Sequence, residues 1–213
     1  MHLYGYYRSS SSYRMRIALN LKGLAPEQSF IHLRKGDQFG EDYVKLNPQQ
    51  QVPTLITDDG AAMVQSPAIL EWLEETYPEP PLFPADPVDR QRVRAIAAAV
   101  SCDIHPLGNL RVLQYVRKEF GQDEEGAFAW ARHWVELGFA GIEAMLAGDG
   151  RTGRYCHGDT PTMADVYLVP QVFNSGRFGV DMGKFPTIAR IHDTCNELDA
   201  FADAAPGVQP DAE

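Results

Sequence analysis

The 213-residue sequence predicts an α/β domain with a mixed sheet over residues 1–80 and an all-α domain after it. Strand and helix patterns alternate up to that point, a proline-rich break follows, and no strand pattern appears beyond the break. The break is "YPEPPLFPADP", Tyr77 to Pro87, where five prolines in eleven residues interrupt helix and sheet alike. The expected organisation is therefore 1–80, a linker at 81–87, and a helical domain at 88–213.

The first half reads βαβαββα. "HLYGYY" is a strand, and "YRMRIALNLKG" a helix closed by Gly23. "QSFIHL" is a second strand, followed by a polar, helix-capable stretch from Asp37 to Leu46. "TLITD" and "AAMVQ" are short strands joined by the Asp58–Gly60 turn. "SPAILEWLEETY" ends the half as a helix. Ser66 is its expected N-cap, Pro67 sits where a missing N–H costs nothing, and Ile69, Leu70, Leu73 and Tyr77 fall at helical spacing.

The second half is helical in pattern. Residues 89–121 form a long helical stretch interrupted by Pro106 and Gly108. "EGAFAWARHWVELGFAGIEAMLAG" is amphipathic, with Phe128, Ala131, Trp134 or Val135, Gly138 and Ile142 along one side. "TPTMADVYLVPQVFNS" opens on Thr162 with Asp165 three residues later, close to a capping box. "TIARIHDTCNELDAFADAA" reads as a last helix, and "PGVQPDAE" as a tail extended along the surface or disordered.

Composition narrows the function. Net charge is −10, which argues against a nucleic-acid or membrane partner. No apolar run approaches the roughly 20 residues that span a bilayer, and "MHLYGYYRS" has no long apolar leader. Cys102, Cys156 and Cys195 are scattered, without metal-ligand spacing, and read as reduced thiols of a cytoplasmic protein. "GDGRTGR" lacks the Gly-Lys-Ser/Thr ending of a phosphate loop.

The most informative stretch is "RSSSSYR". Ser9–Ser12 fall where the first strand gives way to the first helix. A helix start exposes unpaired N–H groups with partial positive charge, and hydroxyls add donors for an anion. A serine run is also an ordinary cap or linker. A nucleophilic serine needs a base within reach, and none is near in the local sequence, so these hydroxyls read as donors.

"RSSSSYRMRIALNLKG", "LNPQQQVPTL", "QSPAILEWLEE", "IHPLGNLRVL", "GDTPTMADVYLVPQV" and "RFGVDMGKFPTI" together resemble, in order and over nearly the whole chain, the zeta class of glutathione transferases. The resemblance implies the glutathione transferase fold: a thioredoxin-like N-terminal domain and an all-α C-terminal domain. It also implies a homodimer with glutathione as cofactor, acting on a small dicarboxylic keto acid. The expected reaction is cis–trans isomerisation of maleylacetoacetate to fumarylacetoacetate by reversible thiolate addition.

The same resemblance gives Ser9 the glutathione sulfur, completes the sulfur pocket with Ser10 and Ser11, and sets Arg8 beside it. The family commonly has Cys where this chain has Ser11, which casts doubt on cysteine-dependent side chemistry but not on thiolate binding. Val52, before an expected cis-Pro53, turns its backbone to the cysteinyl unit. Gln65 and Ser66 hold the γ-glutamyl carboxylate, and Gln38 and Gln51 are candidates for the glycine end. His105, Asn109 and Arg111 face the bound ligand near the dimer interface, and Arg177 takes the substrate carboxylate. From the residues alone, Ser66 reads equally as a plain cap, His105 as a packed or solvated side chain, and the arginines as solvated or salt-bridged.

A cis double bond between carbonyls turns only through a temporary single bond, which a borrowed thiolate supplies. The protein's tasks are to lower the thiol pKa, bind carboxylates and stabilise charge developing on the carbonyl. A shift of about two pKa units is worth roughly 2.7 kcal/mol. Three alternatives stay open: a maleylpyruvate isomerase, a transferase or dehalogenase on small α-halo acids, and a non-enzymatic binding module. The last usually loses the sulfur-pocket hydroxyl, which Ser9 retains here.

Overall fold

Leu3, in strand β1 (His2–Gly5), stands opposite Gln28 of β2 (Glu27–Phe30) on one side and Leu55 of β3 (Thr54–Ile56) on the other. β1 runs parallel to β2 and antiparallel to β3; β4 (Ala62–Val64) lies antiparallel to β3, so the sheet order is β2-β1-β3-β4. A parallel pair needs a crossover, and helix α1 (Ser10–Leu21) supplies it. A 3-10 turn at Asp37–Phe39 and helix α2 (Glu41–Leu46) fill the polar stretch before β3. Helix α3 (Ser66–Thr76) follows β4. The computed structural model describes residues 1–213, and the expected βαβαββα order is present in full.

The chain forms two units, Met1–Pro81 with Leu198–Glu213, and Leu82–Glu197. In the first, Met15, Ile17 and Leu19 of α1, Ile69, Leu70 and Leu73 of α3, and Leu3 and Leu55 of the sheet are each at most 2% exposed. Each such burial contributes about 1.5–3 kcal/mol. A separate apolar cluster joins Tyr6, Tyr7, Tyr43 and Val52, with Tyr4, Ile31, Leu33 and Leu46 against it. It ties the β1–α1 turn to α2 and to the residue before Pro53.

The second unit contains helices only: α4 (Pro87–Ala98), α5 (Leu110–Glu119), α6 (Glu124–Ala147), α7 (Met163–Arg177) and α8 (Pro186–Asn196). Between α4 and α5 the chain widens to a π-type segment, Ala99–Ile104, then tightens to a 3-10 turn at His105–Gly108, where the proline and glycine fall. On α6 the buried stripe is Ala127, Ala131, Val135, Phe139, Ile142 and Leu146. Ala131, Val135 and Ile142 lie on it as expected, whereas Phe128, Trp134 and Gly138 flank the stripe rather than form it. The side chains of the two candidate faces differ too little in apolarity for periodicity to choose between them. In α7, eleven of fifteen residues are buried, which marks a central helix. Its capping box is present: the Asp165 carboxylate accepts from the N–H groups of Thr162 and Cys156, both at 2.8 Å.

Residues 198–213, read from the sequence as the end of the helical half, belong instead to the first unit. The expected single last helix is two, α8 and α9 (Asp199–Ala202), parted at Leu198, whose ψ of 131° is extended. The cause is docking on α1: Arg16 Nε donates to Ala204 O at 2.8 Å and Asn20 Nδ2 to Ala200 O at 3.1 Å. The tail continues ordered through a 3-10 turn at Pro206–Val208, and Gln209 donates to Asp203 O and Ala205 O.

Gly138 marks a close approach inside the helical unit. A Cβ there would stand 2.3 Å from Ile104 Cγ1, and Ile104 is itself 1% exposed. Gly to Ala inside a helix ordinarily stabilises by roughly 0.5–1 kcal/mol. Here the steric term wins: Gly138→Ala is expected to destabilise by about 1–3 kcal/mol, read as a lower urea midpoint at unchanged slope.

Candidate active site

The β1–α1 junction places four serines in one turn. Ser9 is the N-cap of α1, and its Oγ accepts from Ser12 N–H at 3.2 Å. Ser10 and Ser11 are the first two helical residues, and Ser12 is fully buried, its Oγ accepting from Tyr6 N–H at 3.3 Å. A serine hydroxyl has one donor and two acceptor positions. Capping uses an acceptor of Ser9, so its O–H can still donate outward. The cap and the ligand donor are compatible roles of one side chain.

The electrostatics favour an anion. No acidic residue lies in the first turn of α1, so the helix-start charge is not offset locally. Arg8 is half-buried next to Ser9. Arg16 is turned into the protein, its Nη2 donating to Tyr7 O at 3.1 Å; burial pushes its pKa down to about 10, which leaves it charged near neutrality. Burial, with Tyr7 next in effect, pushes the Tyr6 phenol up to about 12, so it stays neutral.

Val52–Pro53 is cis, both residues are buried, and the backbone on either side is held. Gln51 O accepts from Tyr43 Oη at 2.6 Å and from Asn47 Nδ2 at 2.7 Å. The Thr54 hydroxyl contacts the same two groups at 2.9 and 3.2 Å. Tyr43 and Asn47 thus fix the Val52 peptide, a role no local sequence signal announces. The only cue was Asn47 before Pro48, a turn pattern.

At α3 the sequence reading is corrected by one residue. Gln65 is the N-cap, Ser66 is the first helical residue, and no side chain caps this helix start. Gln65 has φ 70°, a left-handed value that costs a non-glycine residue of order 1–3 kcal/mol. Its Nε2 donates to Gln49 Oε1 at 2.6 Å. The Ser66 hydroxyl, expected to be spent on a cap, is not. Gln38 is turned inward, donating to Leu33 O at 3.3 Å with its Oε1 enclosed and unpartnered. Gln51 is half-buried beside Val52.

The remaining candidates lie in the second unit. His105 opens the 3-10 turn, Asn109 caps α5 by accepting from Arg111 N–H at 3.4 Å, and Arg111 is exposed. Arg177 ends α7 with its guanidinium over the rings of Phe128 and Phe178, at 5.3 and 5.7 Å. Those stacks orient its planar fork. Within the first unit, the structure brings together Tyr6, Tyr7, Tyr43 and Val52 and places Arg8 and Ser9 directly after Tyr7.

A mixed βαβαββα sheet with a hydroxyl-lined helix start and a cis-proline, followed by a helical unit, is the architecture of glutathione S-transferases. Residues 3–81 match the family model of the glutathione S-transferase N-terminal domain. The chain is 54% identical over 213 residues to a maleylpyruvate isomerase from a Ralstonia species, covering 100% of both. It superposes at TM-score 0.98 and 52% identity, over 100% of both chains, on the holo structure of a maleylpyruvate isomerase described as a bacterial zeta-class glutathione S-transferase. A maleylacetoacetate isomerase from Methylobacterium extorquens, crystallised with malonate and glutathione, matches at TM-score 0.97 and 40% identity over 100% of both chains. The chain belongs to the zeta-class glutathione transferase family. No helix is long and apolar enough to cross a membrane.

The clamp on the Val52 peptide is testable without ligand. Asn47→Ala removes one donor from Gln51 O and one contact from Thr54, and is expected to lower stability by about 1–3 kcal/mol. Urea unfolding at unchanged slope is the measurement.

Proposed function

We propose that this chain is a glutathione-dependent cis–trans isomerase of a maleyl keto acid, converting maleylacetoacetate to fumarylacetoacetate. The observation that carries the reading is the start of α1, where serine hydroxyls gather directly after Arg8 and the helix's first turn contains no acid of its own. The names of the full-length relatives support it. A second reading, maleylpyruvate as substrate, is favoured by the 54%-identical relative that carries that name. The two substrates share the maleyl carboxylate and differ at the remote keto end.

The residues fit the tripeptide. Ser9 and Ser10–Ser11 face a thiolate with hydroxyl and helix-start donors. The uncapped start of α3, with an uncommitted Ser66 hydroxyl and a strained Gln65, suits the γ-glutamyl carboxylate. The clamped Val52 peptide suits the cysteinyl backbone, leaving Gln38 and Gln51 for the glycine end. When bound, glutathione supplies the thiolate that adds to the alkene and leaves after rotation.

The chain must then stabilise that sulfur and hold the substrate. Lowering a thiol from about 8.5 by two units needs roughly 2.7 kcal/mol. A helix start contributes about 0.3–1 kcal/mol, reaching about 2 where partly buried, and a charge-assisted hydrogen bond about 1.5–3. The helix start alone falls short over its whole range and the hydroxyl over most of its own; together they span about 1.8–5 kcal/mol, which brackets the requirement. Arg177, with Arg111 as a further candidate, is proposed for the substrate carboxylate, and His105 and Asn109 for ligand contacts on that side. The family supports a homodimer, and the three free cysteines support a cytoplasmic setting.

The decisive experiment is a spectrophotometric assay of both maleyl compounds with glutathione titrated from zero. Turnover undiminished without the thiol overturns the proposal, and the ratio of kcat/KM values chooses between the substrates. Ser9→Gly removes the hydroxyl while costing only a few tenths of a kcal/mol of capping. It is expected to raise the bound-thiol pKa by about one unit and lower kcat near neutrality up to about tenfold, read from the ultraviolet thiolate band and initial rates. Arg177→Ala is expected to raise KM for the dicarboxylate about tenfold or more, on the scale of a lost charge-assisted contact, while calorimetry finds glutathione affinity within about twofold.

A further inference from the structure

The turn that delivers Ser9 is held by a segment some two hundred residues away in sequence. Tyr7 N–H donates to Asp211 Oδ2 at 2.9 Å, and Tyr7 O accepts from Arg16 Nη2 at 3.1 Å. Arg16 is itself tied to the tail through Nε and Ala204 O at 2.8 Å. The next peptide back is satisfied locally, with Ser9 N–H donating to Tyr6 O at 3.0 Å and Tyr6 N–H to Ser12 Oγ. Both backbone groups of Tyr7, the residue before Arg8, therefore depend on the tail or on an arginine docked to it. The tail's end is pinned as well, since Glu213 Oε1 meets His32 Nε2 at 2.9 Å and Lys35 Nζ at 3.4 Å.

A carboxylate is an odd choice beside a thiolate. Its charge opposes the ionised sulfur and acts instead on the buried Arg16 guanidinium, which it helps to keep charged, so Asp211 cannot serve the sulfur as an electrostatic aid. What it supplies is a short acceptor at a fixed point. Its second oxygen, Oδ1, is buried without a partner, a cost of the same order as a lost hydrogen bond that a casual surface contact would not sustain.

We propose that Asp211 is a positioning residue for the thiolate site: by accepting from Tyr7 N–H it sets the backbone that aims Ser9 at the glutathione sulfur, with Arg8 beside it. This rests on the glutathione-dependent reading above. Because the role of Asp211 at Tyr7 is to accept, asparagine restores that contact and alanine does not; the support its charge gives to buried Arg16 is a separate contribution, read in overall stability and not in the thiol pKa. By linkage, a sulfur bound at Ser9 must in turn tighten the latch.

The test uses the full-length enzyme in three forms: unaltered, Asp211→Ala and Asp211→Asn. Asp211→Ala is expected to raise the bound-thiol pKa and lower kcat about five- to tenfold near neutrality, with KM for the maleyl substrate within about twofold, while Asp211→Asn stays near the parent. Alanine matching the parent, or asparagine falling as far as alanine, overturns the proposal. Hydrogen exchange at the Tyr7 amide of the unaltered protein decides the question even where the alanine variant does not fold. Glutathione is expected to slow that exchange at least about threefold, and unchanged exchange under saturating glutathione overturns the latch. Calorimetry of the unaltered protein separates the failures: no glutathione binding sinks the function itself, whereas binding without these effects sinks only Asp211.

Discussion

An anion has to be held by a chain of net charge −10, and the structure meets that constraint by where it withholds carboxylates. In the first unit, α2 opens with Glu41 and Asp42 and α9 with Asp199, so those helix starts are neutralised by their own side chains. In the second, Asp86 caps α4, Asp123 caps α6, Asp165 serves α7, and the Glu143 carboxylate accepts from Thr187 and Ile188 N–H at the start of α8. α1 and α3 carry no acid in their first turns. α5 carries none either, its start being capped by the Asn109 amide; of the three, α1 and α3 are the starts proposed for the thiolate and the γ-glutamyl carboxylate. Helix-end charge decays within a turn, so local omission outweighs a large but distributed negative total that salt screens over roughly 8–10 Å.

Holding the site in place takes backbone strain, at Gln50 (φ 58°) as well as Gln65, and burial around it. Gln65 sits at φ 70°, and the adjacent start of α3 lacks a side-chain cap. Strain of about 1–3 kcal/mol is a substantial fraction of a net stability of about 5–15 kcal/mol. The apolar faces of α1 and α3 and the Tyr6–Tyr7–Tyr43–Val52 cluster offset it. The same cluster transmits position: Tyr43 is buried by its ring and reaches Gln51 O and Thr54 Oγ1 with its hydroxyl, so one side chain serves the packing and the Val52 peptide together.

What was legible in the sequence is what is local. The element order, the serine helix start, the Thr162–Asp165 capping box and the proline break are each written within a few residues. Ser66 was misplaced by one position because the cap is decided by the φ of Gln65, which a non-glycine residue does not advertise. On α6 the sequence leaves Trp134 and Val135 as alternatives because both are apolar, and packing selects Val135. Tyr43, Asn47 and Asp211 were invisible as site residues because their partners are backbone groups, 8 residues away for Tyr43 and Gln51 and 204 for Asp211 and Tyr7. A backbone N–H leaves no mark in the sequence that names its acceptor. The tail's polar, proline-containing composition reads as loose, yet hydrogen bonds from Arg16 and Asn20 order the segment leading into it.

The choice of hydroxyls over a stronger cation at the sulfur follows from what the thiolate must do. An isomerase needs its sulfur first as nucleophile and then as leaving group. Nucleophilicity falls as thiol pKa falls, while departure improves, so the useful optimum lies near ambient pH. A guanidinium in direct contact would push the thiol well below that point and blunt the attack. Here Arg16, buried behind the serine turn, spends its donors on Tyr7 O and Ala204 O, and in the proposed site the sulfur meets the Ser9 hydroxyl and helix-start N–H groups with Arg8 beside the pocket and not in direct contact. Such donors give a shift of a couple of units, enough to ionise the thiol near neutrality without making it inert. A cysteine at position 11 would add a second soft nucleophile beside the first; Ser11 keeps the donor and omits the competing chemistry.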